Sequence, residues 1–131
     1  MSPSNFTILF AEDNPQIMRL YQKSFAQDGY KVLVSTNAAE AMAELQAEKV
    51  DLLVTDLAMP EANTFDLFHL LKEKFPKIPV IIVSGKYQDL KDDFLNKGYK
   101  VAAFIQKPVE LAVLKAKVAE TLGIEPAGTQ K

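Results

Sequence analysis

Five polar residues stand at the ends of four apolar runs, and their types suit the binding of phosphate and divalent metals. Glu12 and Asp13 follow one run, Asp56 a second, and Ser84 and Lys107 two others. Carboxylate oxygens are ligands that Mg²⁺ and Mn²⁺ prefer, and an aspartate can attack phosphorus as a nucleophile. Lysine and serine can bind phosphoryl oxygens by charge and hydrogen bonding. If the fold brings them together, these residues form a metal-assisted phosphoryl-acceptor site.

The apolar runs alternate with amphipathic stretches five times along the chain. The runs are 7–11, 31–35, 51–55, 79–83 and 101–105. Several are apolar at consecutive positions, which is typical of parallel strands covered by helices on both faces. Right-handed crossovers between such strands produce an open, doubly wound α/β domain of the (βα)5 type. Ligands of such sheets bind beyond the carboxyl ends of the strands, where the five polar residues are expected.

Capping residues mark the predicted helices. Asn14 followed by Pro15 predicts the start of the first helix, and Asn37 with Glu40 predicts a capping box for the second. Apolar spacing predicts three further helices, which carry Leu67, Phe68 and Leu71, then Leu90, Phe94 and Leu95, then Leu111, Leu114, Val118 and Leu122. Gly123 is predicted to end the last helix. The domain therefore spans 1–124, and 125–131 is predicted to be a flexible tail or the start of a linker.

Composition narrows the class of protein. The 131 residues fit one domain, and the absence of cysteine excludes disulfides and suits a cytoplasmic protein. The net charge of −2 and the single arginine, Arg19, argue against a surface for nucleic acid. No apolar stretch approaches the roughly 20 residues that a membrane span needs.

At the site residues the sequence resembles the receiver domain of two-component response regulators. The matching stretches are Ile8–Asn14, Asp56–Pro60, Val80–Gly85 and Phe104–Pro108, within a resemblance that spans 7–122. The resemblance implies a flavodoxin-like parallel sheet with strand order 2-1-3-4-5 and helices on both faces. It also implies a cytoplasmic signalling protein that catalyses its own phosphotransfer and dephosphorylation and is not a multiple-turnover enzyme.

The resemblance further implies a role for each site residue. Asp56 would be the phosphoacceptor and Lys107 the partner of the phosphoryl group, with a cis peptide bond between Lys107 and Pro108. Ser84 and Phe104 would be the switch residues, Ser84 moving toward the phosphoryl oxygen and Phe104 swinging inward. Mg²⁺, or alternatively Mn²⁺, would be bound by Glu12, Asp13, Asp56 and the backbone carbonyl of Ala58.

The implied partners are proteins. The phosphodonor would be a sensor histidine kinase or a phosphotransfer protein. A downstream effector would contact the helix 4–strand 5–helix 5 face, named here from the fourth predicted helix, the fifth strand and the fifth predicted helix. No direct contact with nucleic acid or membrane is expected, and the chain would be a monomer or a weak dimer.

Three positions depart from the family pattern, and two alternative functions stay open. Thr64 stands where glycine is frequent, the turn 98–100 is longer than usual, and Val109 replaces a common phenylalanine. One alternative is a metal-dependent phosphatase with Asp56 as its nucleophile, which is disfavoured because Ala58 stands where the second catalytic acid would be. The other is an interaction module that binds partners without being phosphorylated, and the presence of every site residue type disfavours it.

Overall fold

Five parallel strands form the centre of the protein. The computed structural model describes residues 3–56, 64–85 and 98–124, with the backbone alone at 64 and 65. The strands are β1 Thr7–Ala11, β2 Lys31–Ser35, β3 Leu52–Thr55, β4 Val80–Ser84 and β5 Ala103–Gln106. They pair in the order β2-β1-β3-β4-β5, and every neighbouring pair is parallel. The predicted sheet type and strand order are confirmed.

The described ranges contain four α-helices. They are α1 Pro15–Gln27, α2 Ala38–Ala47, α3 Thr64–Lys74 and α4 Leu111–Leu122, and a short 3-10 turn at Pro3–Asn5 precedes β1. Helix α4 is the last of the five predicted helices. The fourth predicted helix, with Leu90, Phe94 and Leu95, lies outside the described residues, and so does the predicted tail at 125–131. In the described part of the chain, no helix has the length and apolar character needed to span a bilayer.

The sheet is buried on both faces, and successive residues of each central strand enter opposite core layers. In β1, Leu9 packs with residues of α2 and α3, whereas Phe10 packs with residues of α1 and α4. The same alternation places Leu53 and Leu52 of β3 in the two layers. This arrangement explains why the strand sequences are apolar at consecutive positions.

Three strands begin one or two residues later than predicted, and local polar contacts explain two of these shifts. Asp51 does not start β3, because its carboxylate accepts a hydrogen bond from the N–H of Thr7 at 2.7 Å. Pro79 does not start β4, because proline has no N–H to donate to the ladder. Strand β5 begins at Ala103 instead of Val101 and ends at Gln106, so Lys107 is the first residue beyond it.

The predicted helix caps are present, with one difference. The Asn14 side chain accepts hydrogen bonds from the N–H groups of Gln16 and Ile17, and Gly123 ends α4 with a φ of 76°. The Asn37 side chain accepts from the N–H of Glu40 at 2.8 Å. The Glu40 carboxylate, however, accepts from the N–H and hydroxyl of Thr36, one residue earlier than a standard capping box requires.

Replacing Asn37 by alanine is expected to lower the free energy of unfolding by about 1 kcal/mol, because the first turn of α2 loses its side-chain acceptor. Urea denaturation measures this change, and the m-value should stay constant. The matched control is Asn37→Ser, which keeps an acceptor at the cap and should stay close to the wild-type stability. Equal losses in both variants would show that the cap hydrogen bond is not the cause.

Candidate functional site

The carboxyl ends of β1 and β3 place two acidic residues side by side. Ala11 and Thr55 are partners in the register of the two strands, so Glu12 and Asp56 follow them at the same level of the sheet. The N–H of Glu12 donates to the carbonyl of Ser35 at 2.9 Å, and the N–H of Asp56 donates to the carbonyl of Ala11 at 3.0 Å. These backbone hydrogen bonds continue the ladders and hold both residues in position.

Lys107 reaches both acidic residues from the end of β5. Its N–H donates to the carbonyl of Ser84 at 3.1 Å, and the peptide bond between Lys107 and Pro108 is cis. Its ammonium Nζ donates to Glu12 Oε1 at 2.9 Å and to Asp56 Oδ2 at 2.8 Å. The side chains of Glu12 and Asp56 are 3% and 7% exposed, whereas that of Lys107 is 22% exposed. This charge-assisted bridge lies at the mouth of the site.

Asp13 completes a group of three carboxylates. One oxygen each from Glu12, Asp13 and Asp56 lies within 4.8 Å of the other two, with Asp13 exposed and the others buried. Three carboxylates and the Lys107 ammonium leave a net charge of −2 in a small volume, which a divalent cation would balance. Oxygen donors with one solvent-facing side suit Mg²⁺, which keeps several waters in protein sites. The donor set therefore fits the predicted metal.

Burial and the hydrogen bonds between Lys107 and the carboxylates act in opposite directions on the pKa values of Glu12 and Lys107. Burial raises the pKa of Glu12, and the hydrogen bonds from Lys107 and from the N–H of Asn14 oppose this only in part. Burial lowers the pKa of Lys107, but its hydrogen bonds to Asp56 and Glu12 outweigh that effect and raise it. Burial, together with the negative charge of Glu12, raises the pKa of the Tyr21 phenol to about 12. Lys107 is therefore cationic at neutral pH, while ionised Glu12 is unfavourable in the folded chain.

The two predicted switch residues share one face of the sheet. Ser84 ends β4 and is fully buried, and Phe104 of β5 is the register partner of Ile82. Because side chains alternate along a strand, Ser84 and Ile82 point to the same face, and Phe104 lies beside them. Phe104 is partly buried against the core layer that contains Phe68 and Leu71 of α3. Ala58, the predicted source of a carbonyl ligand, lies outside the described residues.

Sequence reasoning missed some groups that support the site. It identified Asn14 as a helix cap, but the backbone N–H of Asn14 also donates to Glu12 Oε2 at 3.1 Å. The Thr55 hydroxyl donates to the backbone carbonyl of Asp56 at 2.9 Å. Asn14 lies two residues after Glu12, and Thr55 immediately precedes Asp56. Closeness in the sequence to the acidic residues is therefore the signal that could have identified both. The contact of Lys107 with Glu12 at 2.9 Å had no such local signal.

Glu12→Gln is expected to stabilise the protein at neutral pH when divalent metal is chelated. A folded-state pKa above the ordinary value of 4.5 means that the wild type loses stability as pH rises from that value through the folded pKa. The glutamine variant lacks this loss, so its advantage should be smallest below pH 4.5 and largest above the folded pKa. Urea denaturation at a series of pH values in EDTA measures the difference.

Glu73→Gln is the matched control for this measurement, because Glu73 is exposed on α3 and loses the same charge away from the site. Its stability difference from the wild type should vary little over the same pH range. A Glu12→Gln advantage that does not grow with pH would contradict the assigned cost of the ionised carboxylate.

Comparisons with known proteins agree with the fold and show the family of the chain. Residues 8–119 match the response regulator receiver domain family. The transcriptional regulatory protein GlrR of Escherichia coli (strain K12) is 30% identical over 122 residues, which are 93% of this chain and 27% of that protein. The sensor histidine kinase TmoS of Ectopseudomonas mendocina is 32% identical over 92% of this chain and 12% of that protein. The chain thus spans about a quarter or less of these two relatives.

A solved structure shows the same fold. The receiver domain of the sensor histidine kinase PA1611 from Pseudomonas aeruginosa PAO1, with a magnesium ion coordinated in its active site cleft, superposes with a TM-score of 0.79. It is 19% identical, and the match covers 90% of this chain and 98% of that chain. The sheet order, the acidic ends of β1 and β3, and a family match over most of the chain lead to one conclusion: this chain belongs to the response regulator receiver domain family of two-component signalling.

Proposed function

We propose that the chain is a phosphoryl-accepting switch of a two-component phosphorelay, with Asp56 as the acceptor. The observation that carries this proposal is the bridge from Lys107 Nζ to Asp56 Oδ2 and Glu12 Oε1, at 2.8 and 2.9 Å. It holds a buried carboxylate next to a fixed cation at the end of the sheet. Asp56 attacks the phosphorus of a phosphohistidine on a sensor histidine kinase or phosphotransfer protein. The nitrogen–phosphorus bond breaks and an acyl phosphate forms on Asp56.

Mg²⁺ is the proposed cofactor, with Mn²⁺ as an alternative. Glu12, Asp13, Asp56 and the backbone carbonyl of Ala58 are its proposed ligands, and the net charge of −2 at the described site residues supports a divalent ion there. When bound, the ion supplies positive charge that screens the phosphoryl oxygens from the carboxylates. The magnesium ion in the cleft of the PA1611 receiver domain supports the same assignment for this chain.

Lys107 has a second task in the proposed reaction. Because the two carboxylates raise its pKa, it carries a full positive charge where the phosphoryl group arrives. A phosphoryl group on Asp56 offers new oxygens to Nζ, so Lys107 is expected to transfer its hydrogen bond from the carboxylate to a phosphoryl oxygen. The Lys107 ammonium would thus stabilise the ionised carboxylate of Asp56 before the transfer and the phosphorylated Asp56 after it.

The proposed response runs from Ser84 and Phe104 to the output surface. A phosphoryl oxygen attracts the Ser84 hydroxyl, and the space that this movement changes is next to Phe104 on the same face of the sheet. Phosphorylation then biases an existing equilibrium between two arrangements of β5 and its neighbours. A downstream effector would bind the helix 4–strand 5–helix 5 face and detect the change there. In this face, helix 4 is the fourth predicted helix, strand 5 is β5, and helix 5 is the helix labelled α4 in the structure.

The chain would accept one phosphoryl group on its own Asp56 and later lose it by hydrolysis. It would not act as a multiple-turnover enzyme on a separate substrate. Its own site residues would catalyse both phosphotransfer and hydrolysis of the acyl phosphate. The relatives include both a transcriptional regulator and a sensor kinase, so either type of protein is a setting in which such a receiver works. A cytoplasmic location, the lack of direct nucleic-acid binding and a monomeric or weakly dimeric state stay predictions.

Intact-protein mass spectrometry after incubation with acetyl phosphate tests the acceptor. In the presence of Mg²⁺ the wild type should gain one phosphoryl group, about 80 Da, because Asp56 forms an acyl phosphate. Asp56→Asn should gain none, and EDTA should prevent the gain in the wild type. The matched control Asp66→Asn, which changes an exposed aspartate of α3, should behave as the wild type does.

Beryllofluoride provides a test that does not depend on phosphate lifetime. With Mg²⁺ it should raise the melting temperature of the wild type but not of Asp56→Asn, because a ligand of the native state stabilises that state. The absence of both an adduct and a stabilisation would contradict the switch and favour the interaction module. Repeated turnover of small phosphoesters would instead favour the phosphatase.

Asp13→Asn is expected to raise the Mg²⁺ concentration needed for half-maximal thermal stabilisation by about tenfold or more, because the site loses one charged ligand. The stability without metal should not fall, because Asp13 is exposed and the variant removes one of three neighbouring negative charges. Melting curves over a magnesium titration measure both quantities. Unchanged magnesium dependence in this variant would remove Asp13 from the ligand set.

A further inference from the structure

The outer edge of β2 presents backbone groups that have no partner in the sheet. Strand β2 pairs with β1 alone. The N–H of Lys31 donates to Phe6 of the chain segment before β1, and the carbonyl of Ser35 accepts from Glu12. Because successive residues direct their backbone groups to opposite edges of a strand, Val32 and Val34 direct theirs outward. Nothing in the described ranges pairs with these N–H and C=O groups.

Apart from Lys31 at its start, this edge has few of the features that usually prevent strand addition. Strand β2 has no proline, and its register with β1 is continuous from Lys31 to Ser35, so no bulge interrupts it. Lys31, at the start of the strand, is its single charged residue. Natural edge strands are commonly protected by charges, proline or bulges, and an unprotected edge accepts an extended segment through main-chain hydrogen bonds.

A row of glutamates runs beside the open edge. Glu40 and Glu44 of α2 and Glu48 at its C-terminus line a groove of about 600 Å³ together with Val34, Ala43 and Ala47. Glu48 forms a loose ion pair with Lys31 at 3.7 Å, with both side chains well exposed, and such a pair contributes little to stability. Glu40 already accepts hydrogen bonds from the N–H and hydroxyl of Thr36. Like charges four residues apart on a helix repel each other, so a cation bound in this groove would act mainly on Glu44, which lies between Glu40 and Glu48.

The spacing of the glutamates matches that of alternate residues in a strand. Residues four apart on a helix are separated by about 6 Å along its axis, and side chains on one face of an extended strand recur every 6.6 to 6.8 Å, by about 3.3–3.4 Å per residue. A strand added to β2 with a cationic residue at every second position would therefore place one cation near each glutamate. The main chain of that strand would meet the open groups of Val32 and Val34.

We propose that the β2 edge and the glutamates Glu40, Glu44 and Glu48 form a docking groove for an extended segment of a partner protein, in which lysine or arginine alternates with uncharged residues. A second copy of this chain is a poor occupant, because pairing two β2 edges would bring two sets of three glutamates together. The groove is distinct from the residues of the phosphoryl-acceptor site, and docking there does not require phosphorylation of Asp56.

The test uses a capped heptapeptide of alternating lysine and threonine, with NMR of the whole chain saturated with Mg²⁺. The peptide should cause saturable shift changes centred on Val32, Val34 and Glu44, and it should slow the exchange of the Val32 and Val34 amides. Two control peptides of the same length separate the causes. Replacing lysine by glutamate removes the charge match, and methylating the backbone nitrogens removes the main-chain donors, so neither control should bind.

Glu44→Lys tests the groove from the side of the protein. It should weaken peptide binding by about fivefold or more, because an attraction becomes a repulsion. The matched control Glu73→Lys makes the same charge change on an exposed position of α3 and should leave the affinity close to that of the wild type. Glu44 is partly buried and Glu73 is exposed, so the melting curves of both variants are compared with that of the wild type before their affinities are.

Several results would overturn the proposal. These are the absence of saturable binding, equal binding of the methylated peptide, equal weakening by Glu44→Lys and Glu73→Lys, or shift changes centred on Asp13 and Asp56. Concentration-dependent dimerisation through β2 would likewise show that a second copy is the occupant. Failure of the phosphorylation test at Asp56 would leave this proposal unaffected, because peptide binding is measured without a phosphodonor.

Discussion

A single ammonium group between two buried carboxylates is the interaction on which the site depends. Lys107 Nζ contacts both Glu12 and Asp56, and ionised carboxylates with little exposure are costly unless they are paired. The pairing is incomplete, because Asp13 adds a third negative charge. The folded chain therefore holds an excess of negative charge that a divalent cation would neutralise. The proposed metal binding would draw on this imbalance, because a divalent cation offsets the excess negative charge.

The strands that carry the site differ in how deeply they are buried. Strands β1, β3 and β4 have helices on both faces, and their residues are almost fully buried. Strand β5 lies at one edge of the sheet, and its apolar residues are only partly buried. Glu12 and Asp56 thus follow deeply buried strands, whereas Phe104 belongs to the partly buried strand β5 and Lys107 follows it. The proposed response would therefore act through β5, which is less deeply buried than β1, β3 and β4.

The opposite edge of the sheet has a different character. Strand β2 is also half-buried, but neither Asp56 nor Lys107 lies at its end. It contributes to the site through the carbonyl of Ser35. Its open backbone groups and the adjacent glutamates make it suitable for a partner that is recognised by main-chain pairing and charge. The two edges thus offer two surfaces, one coupled to the proposed phosphorylation and one independent of it.

The sequence by itself determined the element types, the helix caps and the residue types of the site. Apolar runs, asparagine caps and glycine stops are local signals, and they predicted the parallel sheet and placed Glu12, Asp56 and Lys107 at strand ends. Only the tertiary structure decided that Glu12 is buried while its neighbour Asp13 is exposed, and that Lys107 bridges residues 95 and 51 positions away. It also decided that Val32 and Val34 face an open edge. These properties depend on which strands become neighbours and on the register of their pairing. Pairing between distant segments produces no periodic residue pattern in the sequence of either segment, so local patterns do not predict it.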